Sequence, residues 1–260
     1  METTLDRISA PTRRLLLLEQ RVVFEVGAMA AAAPWLRLAG RGDRHPVLVL
    51  PGFTAGDWAT IPLRWQLRTW GYWAHGWRLG INLGPTPEVL EGLVERLDAL
   101  HRRHDRPVTL IGWSLGGIYA RELARQFPTH VRDVITLGSP YRMGLQDRST
   151  VSPLLDRLVD GFDPELVESW VQEDERVPLG VPATSIYTRT DGIVRWHTCI
   201  DRPGPLRENI EVRGTHTGLV INPAVLYAIG DRLQQPEGDW RPFHAPGPLR
   251  RFYPRPADYR

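Results

Sequence analysis

Short apolar runs alternate with longer stretches of helical periodicity through most of this chain. The apolar runs predict strands over 47–50, 71–76, 108–111, 131–137, 184–190 and 209–213. Between and after them, apolar residues spaced three and four positions apart predict helices over 61–70, 87–103, 115–127 and 224–233. This alternation predicts an α/β fold, with a mostly parallel sheet flanked by helices.

The alternation lapses between residues 141 and 181, where the chain has no good strand pattern. Residues 151–171 instead predict one or two short helices. So long a connection is unusual. We therefore expect a small helical cap or lid over the carboxyl ends of the strands, where ligands bind in open α/β sheets. The sequence thus predicts a single domain over 1–260, with this insertion at 141–181.

The two ends of the chain lie outside the alternating pattern. Residues 1–45 predict a helical extension, and the six prolines after residue 235 favour an extended tail over 235–260. Within the extension, apolar residues at 15, 18, 22 and 26 predict an amphipathic helix over 12–33 that ends before Pro34. We expect this helix to pack on the sheet. The alternative is docking on a partner or a membrane surface.

The start of this helix imitates a signal peptide, because Arg13 and Arg14 precede four leucines. Glutamate and arginine follow after only those four residues, which is too short for a signal-peptide core. The longest uncharged stretch nearby, 26–36, is too short to span a bilayer. We expect no transmembrane segment and a cytoplasmic location. The single Cys199 rules out an internal disulfide and is compatible with both the cytosol and secretion.

Composition excludes several kinds of partner. The chain has 260 residues, of which 42% are hydrophobic and 24% charged, with a net charge of +2. So small a charge gives no strong field for nucleic acid, and we expect no nucleic-acid partner. His101 and His104 stand at a metal-ligand spacing but have no nearby third ligand. We expect neither a metal nor another cofactor, and the sequence leaves the oligomeric state open.

The sequence Gly112-Trp113-Ser114-Leu115-Gly116 contains the most informative pattern in the chain. It stands between a predicted strand and a predicted helix. A serine on such a turn is held in a strained backbone with its hydroxyl exposed, which is the arrangement of a nucleophile that attacks acyl carbons. We predict that Ser114 is the nucleophile. The alternative is a structural glycine turn with a bystander serine.

A serine hydroxyl needs a base, and the base needs an acid to orient it. Among eight histidines, His216 stands in a flexible Gly-Thr-His-Thr-Gly turn after the last predicted strand. Asp191, in Thr-Asp-Gly-Ile-Val, follows the preceding strand. We predict His216 as the base and Asp191 as the acid, with turn-forming roles as the alternatives. His197 is a weaker base candidate, and four acids are weaker acid candidates: Asp163, Glu165, Asp174 and Asp201.

Acyl transfer also needs hydrogen-bond donors for the oxyanion. The backbone N–H of Leu115, at the start of a helix, is one predicted donor. The second is expected in the loop after the first strand, at Phe53 or, with less support, Thr54. Trp113, Thr54 and Trp58 are candidates for an apolar substrate pocket. We expect at least half of the ten tryptophans to lie in the core.

The order Ser114, Asp191, His216 at successive strand ends resembles the α/β-hydrolase superfamily, of the serine esterase and lipase type. The similarity runs from about 46 to 233 and includes the stretch from Ile221 after the histidine. Many members carry His-Gly before the oxyanion residue, whereas this chain has Pro51-Gly52-Phe53. The resemblance implies a Ser-Asp-His triad with an acyl-serine intermediate.

This resemblance leaves several functions open. It favours hydrolysis of short- to medium-chain carboxylic esters, with a small ester or lipid as substrate. The alternatives are a lipase acting on long-chain acylglycerols, a serine acyltransferase or thioesterase, and a non-catalytic binding module on the same fold. The nucleophile separates the chain from relatives that use aspartate or cysteine at this position.

Overall fold

The computed structural model describes residues 9–37, 39–143, 147–158 and 178–259. The strands are β1 Pro46–Leu50, β2 Trp73–Gly76, β3 Val108–Trp113, β4 Val131–Leu137, β5 Ala183–Tyr187 and β6 Arg207–Glu211. The helices are α1 Arg13–Leu18, α2 Val22–Leu36, α3 Ile61–Thr69, α4 Pro87–His104, α5 Leu115–Gln126, α6 Ser152–Leu158 and α7 Pro223–Leu233.

The six strands form one sheet in the order β2-β1-β3-β4-β5-β6, and every neighbouring pair is parallel. The carboxyl ends of all six strands therefore lie along the same edge. We call this edge, with the loops that leave it, the carboxyl edge. The predicted α/β class and parallel sheet are confirmed.

Alternating side chains of each strand pack on opposite faces of the sheet. In β1, Val47 and Val49 join a core cluster with residues of α3 and α7, whereas Leu48 and Leu50 join one with residues of α4 and α5. Both faces are thus covered by helices, as the apolar runs of fully buried parallel strands require.

Strand ends differ from the prediction mainly in the second half of the sheet. β5 ends at Tyr187 rather than at residue 190, because Thr188 and Thr190 instead donate their hydroxyls to the carbonyl of Gly214, at 3.1 and 2.6 Å. Asp191 therefore lies in a turn beyond the strand. Most of the predicted insertion over 141–181 lies outside the described residues, and only α6 represents its helices.

The N-terminal extension differs from the prediction in two ways. A 3-10 turn at Glu19–Arg21 separates α1 from α2, and α2 continues through Pro34 to Leu36. Because Pro34 lies in the last turn, little of the helical hydrogen bonding is lost there. The 3-10 turn winds more tightly than an α-helix and changes the phase of the buried face. Val26, predicted on the packed face, is consequently 56% exposed.

The helices of the extension also present apolar side chains to solvent. They are Leu16, Leu17, Val23, Phe24, Val26 and Trp35. Among the described residues, no helix is both long enough and apolar enough to cross a membrane.

The proline-rich tail runs along the domain in contact with it. The Tyr253 hydroxyl donates to the carbonyl of Ala224 on α7 at 2.8 Å, and the Ala257 N–H donates to the hydroxyl of Tyr187 at 2.7 Å. A short 3-10 turn at Gly247–Phe252 is the regular element described within the tail. The tail is therefore anchored on the domain, although the sequence predicted only an extended segment.

A buried ion pair joins α5 to the loop before β6. The Arg121 guanidinium donates to both carboxylate oxygens of Asp201, at 2.8 and 3.2 Å, and both side chains are less than a tenth exposed. Arg121 also stacks on the ring of Tyr141 at 4.1 Å. Asp201 thus holds a structural arginine, which removes it from the candidates for the catalytic acid.

We predict that Asp201→Ala lowers the free energy of unfolding by about 3–5 kcal/mol, because it removes the buried carboxylate that both Arg121 and Arg207 contact. Denaturant titration measures this loss. The matched control is Asp98→Ala, which breaks a solvent-facing pair with Arg102 on α4 and should change stability by less than about 1 kcal/mol. Equal effects of the two substitutions would contradict the structural role of Asp201.

Candidate active site

Ser114 lies at the turn between β3 and α5. Its backbone angles are φ 53° and ψ −123°, and its N–H donates to the carbonyl of Leu137 on β4 at 2.9 Å. A non-glycine residue with positive φ is strained by about 1–3 kcal/mol. This strained strand-to-helix turn at the carboxyl edge has the backbone geometry that a nucleophile elbow requires.

Two glycines permit this turn because the neighbouring backbone leaves no room for a Cβ. A Cβ on Gly112 would lie 2.3 Å from the Cα of Gly117, and one on Gly116 would lie 2.4 Å from the carbonyl oxygen of Leu50. The second contact places the start of α5 against the end of β1. The glycines therefore bring Ser114 beside the loop that follows β1.

His216 and Asp191 form a buried pair. Nδ1 of His216 lies 2.6 Å from Oδ2 of Asp191, and both residues are less than a tenth exposed. The other carboxylate oxygen, Oδ1, accepts the backbone N–H groups of Ile193 and Val194, each at 2.8 Å. The turn thus fixes the carboxylate, and the carboxylate orients the imidazole. A proton on Nδ1 leaves Nε2 able to accept one.

The surroundings of His216 determine its pKa. Burial alone would lower that pKa, but the negative charge of Asp191, the hydrogen bond to it and the negative charge of Glu19 outweigh burial. The pKa of His216 is therefore raised above its ordinary value. This is the direction that a general base paired with a carboxylate requires.

Trp113 links the serine turn to the histidine loop. Its indole N–H donates to the backbone carbonyl of His216 at 3.1 Å. A Cβ on Gly52 would lie 3.1 Å from the Cβ of Ser114 and 3.3 Å from the Trp113 ring. Trp113 thus lies between the loop after β1 and the histidine loop, and its contacts place both loops next to the serine turn at the carboxyl edge.

The loop after β1 contains two candidates for the second oxyanion donor, Phe53 and Thr54, and their hydrogen bonds differ. The N–H of Thr54 donates to the carbonyl of Asn82 at 2.7 Å, whereas the N–H of Phe53 has no backbone acceptor within the described part of the chain. Leu115 opens α5, where N–H groups have no acceptor inside the helix. Phe53 and Leu115 are therefore the better donors, and Thr54 is the weaker one.

Asn82 is a functional candidate that sequence reasoning missed. This fully buried side chain donates from Nδ2 to the carbonyl of Pro51 at 2.9 Å, and its Oδ1 accepts the hydroxyl of Tyr119 at 3.1 Å. Together with its backbone bond to Thr54, it holds both sides of the Phe53 turn. Asn82 fixes this loop in a chain that lacks the His-Gly of many relatives. No sequence pattern marks it.

The other sequence candidates lie elsewhere or outside the description. His197 stacks on Trp196 with ring centroids 3.5 Å apart and is exposed, while Asp191 already pairs with His216. Asp163, Glu165 and Asp174 fall outside the described residues. In the part of the chain that the structure describes, no group of three or more potential ligands is arranged to hold a metal ion.

The predicted distribution of tryptophans is wrong. Of those described, only Trp70 and Trp77 are fully buried, whereas four are about half or more exposed: Trp35, Trp58, Trp65 and Trp73. The prediction failed because helical spacing and aromatic content alone do not determine which tryptophans of a helix, strand or loop face solvent. Trp58, on the loop after β1, is 67% exposed at the carboxyl edge, whereas Trp113 is partly buried between this loop and the histidine loop.

Comparisons with known proteins agree with this architecture. A family profile described as the alpha/beta hydrolase fold matches residues 90–199. A pimeloyl-[acyl-carrier protein] methyl ester esterase from Shewanella sp. (strain MR-7) is 27% identical over 165 residues, which is 63% of this chain and 60% of that relative.

Two solved structures extend the comparison to most of the chain. Aspergillus fumigatus lipase B matches with a TM-score of 0.58 and 17% identity over 77% of this chain and 55% of that one. A structure of the metagenome-derived lipolytic enzymes LipS and LipT matches with a TM-score of 0.53 and 19% identity, over 70% and 89%. The match spans less than two thirds of the Shewanella esterase and of lipase B.

The sheet, the serine turn and these matches define an α/β-hydrolase fold. A family model of this fold matches part of the chain, and the chain is similar to esterases and lipases that have the fold.

The pair of His216 and Asp191 gives a prediction that does not depend on activity. We expect Asp191→Asn to lower the pKa of His216, because the substitution removes a negative charge while burial remains. NMR titration of the imidazole nitrogens measures this pKa. Asp98→Asn, on the outer face of α4, should leave it unchanged. An unaltered His216 pKa in Asp191→Asn would show that the pair does not control the base.

Proposed function

We propose that this protein is a serine hydrolase that cleaves carboxylic esters with short- to medium-chain acyl groups. The observation that carries the proposal is the buried pair of His216 and Asp191, 2.6 Å apart, beside the strained turn of Ser114. No cofactor is needed for this chemistry, because serine, imidazole and carboxylate together supply the nucleophile and the proton transfers.

In the first half of the proposed reaction, Oγ of Ser114 bonds to the acyl carbon of the ester while its proton passes to Nε2 of His216. The carbonyl oxygen becomes an oxyanion, which the N–H groups of Phe53 and Leu115 stabilise. When the tetrahedral adduct collapses, the C–O bond to the alcohol breaks and His216 returns the proton to that alcohol. Asp191 stabilises the imidazolium without taking its proton.

In the second half, water replaces the alcohol. His216 accepts a proton from water as the water oxygen bonds to the acyl carbon of the acyl-serine. Collapse of this second adduct breaks the bond to Oγ of Ser114 and returns the proton to the serine. The acid leaves, and the enzyme regains its starting state.

The proposed substrate class rests on two observations. The Shewanella relative is by name a pimeloyl-[acyl-carrier protein] methyl ester esterase, which supports an ester as the substrate. The carboxyl edge also carries apolar side chains suited to an acyl chain: Trp58, Ile81 and Leu83 on the loops after β1 and β2 are each about half or more exposed. These side chains favour an apolar acyl group over a charged one.

The same exposed side chains support one second candidate, a lipase acting on long-chain acylglycerols. An apolar rim of this kind also suits contact with a lipid surface. p-Nitrophenyl esters of two to sixteen carbons separate the two functions. Activity that peaks at short or medium chains supports the esterase, and activity that rises steeply beyond about twelve carbons supports the lipase.

We predict that a fluorophosphonate probe labels the native protein and that Ser114→Ala abolishes both labelling and ester hydrolysis. Loss of the triad serine typically costs about 10⁶-fold in kcat. Ser185→Ala is the matched control: Ser185 is a buried serine in β5, outside the proposed triad. A folded native protein that takes no label would contradict the hydrolase and support a binding module on the same fold.

A transfer reaction is tested in the same assay with added alcohol. Free acid as the main product supports hydrolysis. New ester formed at the expense of acid would instead identify an acyltransferase, which uses the same triad with a different acceptor.

We further predict that Asn82→Ala lowers kcat/KM by tenfold or more, approaching the roughly 10²–10³-fold loss seen when an oxyanion donor is removed. The reason is that the Phe53 turn loses the hydrogen bond that the Asn82 side chain donates to the carbonyl of Pro51, although the backbone bond between Thr54 and residue 82 remains. Steady-state kinetics and thermal unfolding of the same samples separate this effect from misfolding. Gln126→Ala, at the exposed end of α5, is the control. A fully active, folded Asn82→Ala would contradict the role of Asn82.

A further inference from the structure

A carboxylate of the N-terminal extension binds both loops of the candidate site. Oε1 of Glu19 accepts the N–H of Gly192 and the N–H of His216, each at 2.9 Å. Oε2 accepts the N–H and the hydroxyl of Thr217, at 3.0 and 3.1 Å. Gly192 follows the acid Asp191 directly. One side chain thus joins the acid loop to the base loop through four hydrogen bonds.

Glu25, one and a half turns further along the extension, continues this contact. Its Oε1 accepts the N–H of Thr215 at 2.8 Å. Burial raises the pKa of Glu25, against the hydrogen bonds from Thr215 and Asn222 that lower it. The backbone N–H groups of three successive residues, 215 to 217, are therefore held by two carboxylates of the extension.

Two glycines in the loops make room for these carboxylates. A Cβ on Gly192 would lie 2.5 Å from the carbonyl oxygen of Leu15, and one on Gly218 would lie 1.7 Å from Oε2 of Glu25. Both glycines have the ordinary negative range of φ among the described residues, so a turn conformation does not explain them. Their absent side chains instead allow the extension to pack on the loops.

We propose that Glu19 is a positioning residue, which holds the loops of Asp191 and His216 in register and places a second negative charge beside the imidazole. Glu25 assists by fixing the amide of Thr215. This inference rests on the proposed hydrolase function, because it assigns Glu19 a role in setting the base of that reaction. Under this proposal, the N-terminal extension helps to position the triad residues Asp191 and His216.

The charge of Glu19 acts in the same direction as that of Asp191. The charged groups that act on His216 are Asp191 from the acid loop and Glu19 from the extension, while Glu25 binds the neighbouring amide of Thr215. Glu19 and Asp191 both raise the pKa of His216 against the effect of burial. Because the base must be neutral, activity is lost as the pH falls through this pKa. Removing the charge of Glu19 should move that loss to lower pH.

The test compares Glu19→Gln with Glu91→Gln, an exposed glutamate on α4. We expect Glu19→Gln to lower the plateau of kcat/KM by about tenfold or more, since displacement of a catalytic group by about 1 Å can cost 10²-fold. We also expect the acid limb of the pH profile to move to lower pH. Glu91→Gln should change neither. A merely structural role would reduce the folded fraction and leave the acid limb in place.

A third variant separates the effect of the negative charge of Glu19 from the effect of its side-chain length. Glu19→Asp keeps the negative charge but is shorter by one methylene and cannot span both loops. We expect its plateau to fall while its acid limb stays closer to that of the native protein than the limb of Glu19→Gln does. A folded Glu19→Gln protein with a native plateau and a native acid limb would overturn the proposal.

The loop contacts of Glu19 can be tested independently of the proposed hydrolase activity, in the inactive Ser114→Ala variant. Hydrogen exchange of the amides of residues 192, 216 and 217 needs no activity. Faster exchange at these amides in Glu19→Gln supports the proposal that Glu19 holds the two loops together, and unchanged exchange contradicts it. The native protein could take no fluorophosphonate label while Glu19 still protects these amides. In that case the hydrolase proposal fails, and the contact of Glu19 with the two loops is structural only.

Discussion

The positive φ of Ser114 is the constraint on which the rest of the candidate site depends. It turns the chain from β3 into α5 within one residue, and the glycines on either side let the helix approach β1 closely. That approach places the Phe53 turn beside the serine. The strain is sustained because the sheet and α5 fix both ends of the turn, and Asn82 fixes the loop opposite it.

The buried charged groups of this domain have two different arrangements, one around Arg121 and the other around His216. Arg121 and Asp201 neutralise each other and tie a helix to a loop, which is a structural use of an ion pair. Around His216 the balance is unequal, because the imidazole faces carboxylates and no described cation forms an ion pair with Asp191 or Glu19. Such an excess of negative charge stabilises the imidazolium. It is useful only where a histidine gains and loses a proton, and this distinguishes the site from the rest of the core.

Much of this arrangement could be predicted from the sequence, because it is encoded locally. The strand at 131–137 matches β4, and the glycine pattern around Ser114 predicts the turn that the structure contains. The long-range contacts could not be predicted in this way. Glu19 lies 173 to 198 residues from the amides that it binds, and the buried position of Asn82 follows from packing between two loops. The exposed tryptophans show the same limit, since aromatic content does not determine which face of an element is covered.

The N-terminal extension has two faces with opposite character, and their combination constrains its role. One face contributes Glu19 and Glu25 to the loops of the site, while the other exposes apolar side chains such as Phe24 and Trp35. If the extension were only a cover for the sheet, apolar residues would be concentrated on its packed face and charges on its outer face. In the structure, two partly buried carboxylates face inward beside apolar residues such as Val22 and Leu36, and large apolar groups also face outward. Selection for packing alone does not produce this arrangement, whereas a requirement to hold the catalytic loops accounts for the inward carboxylates.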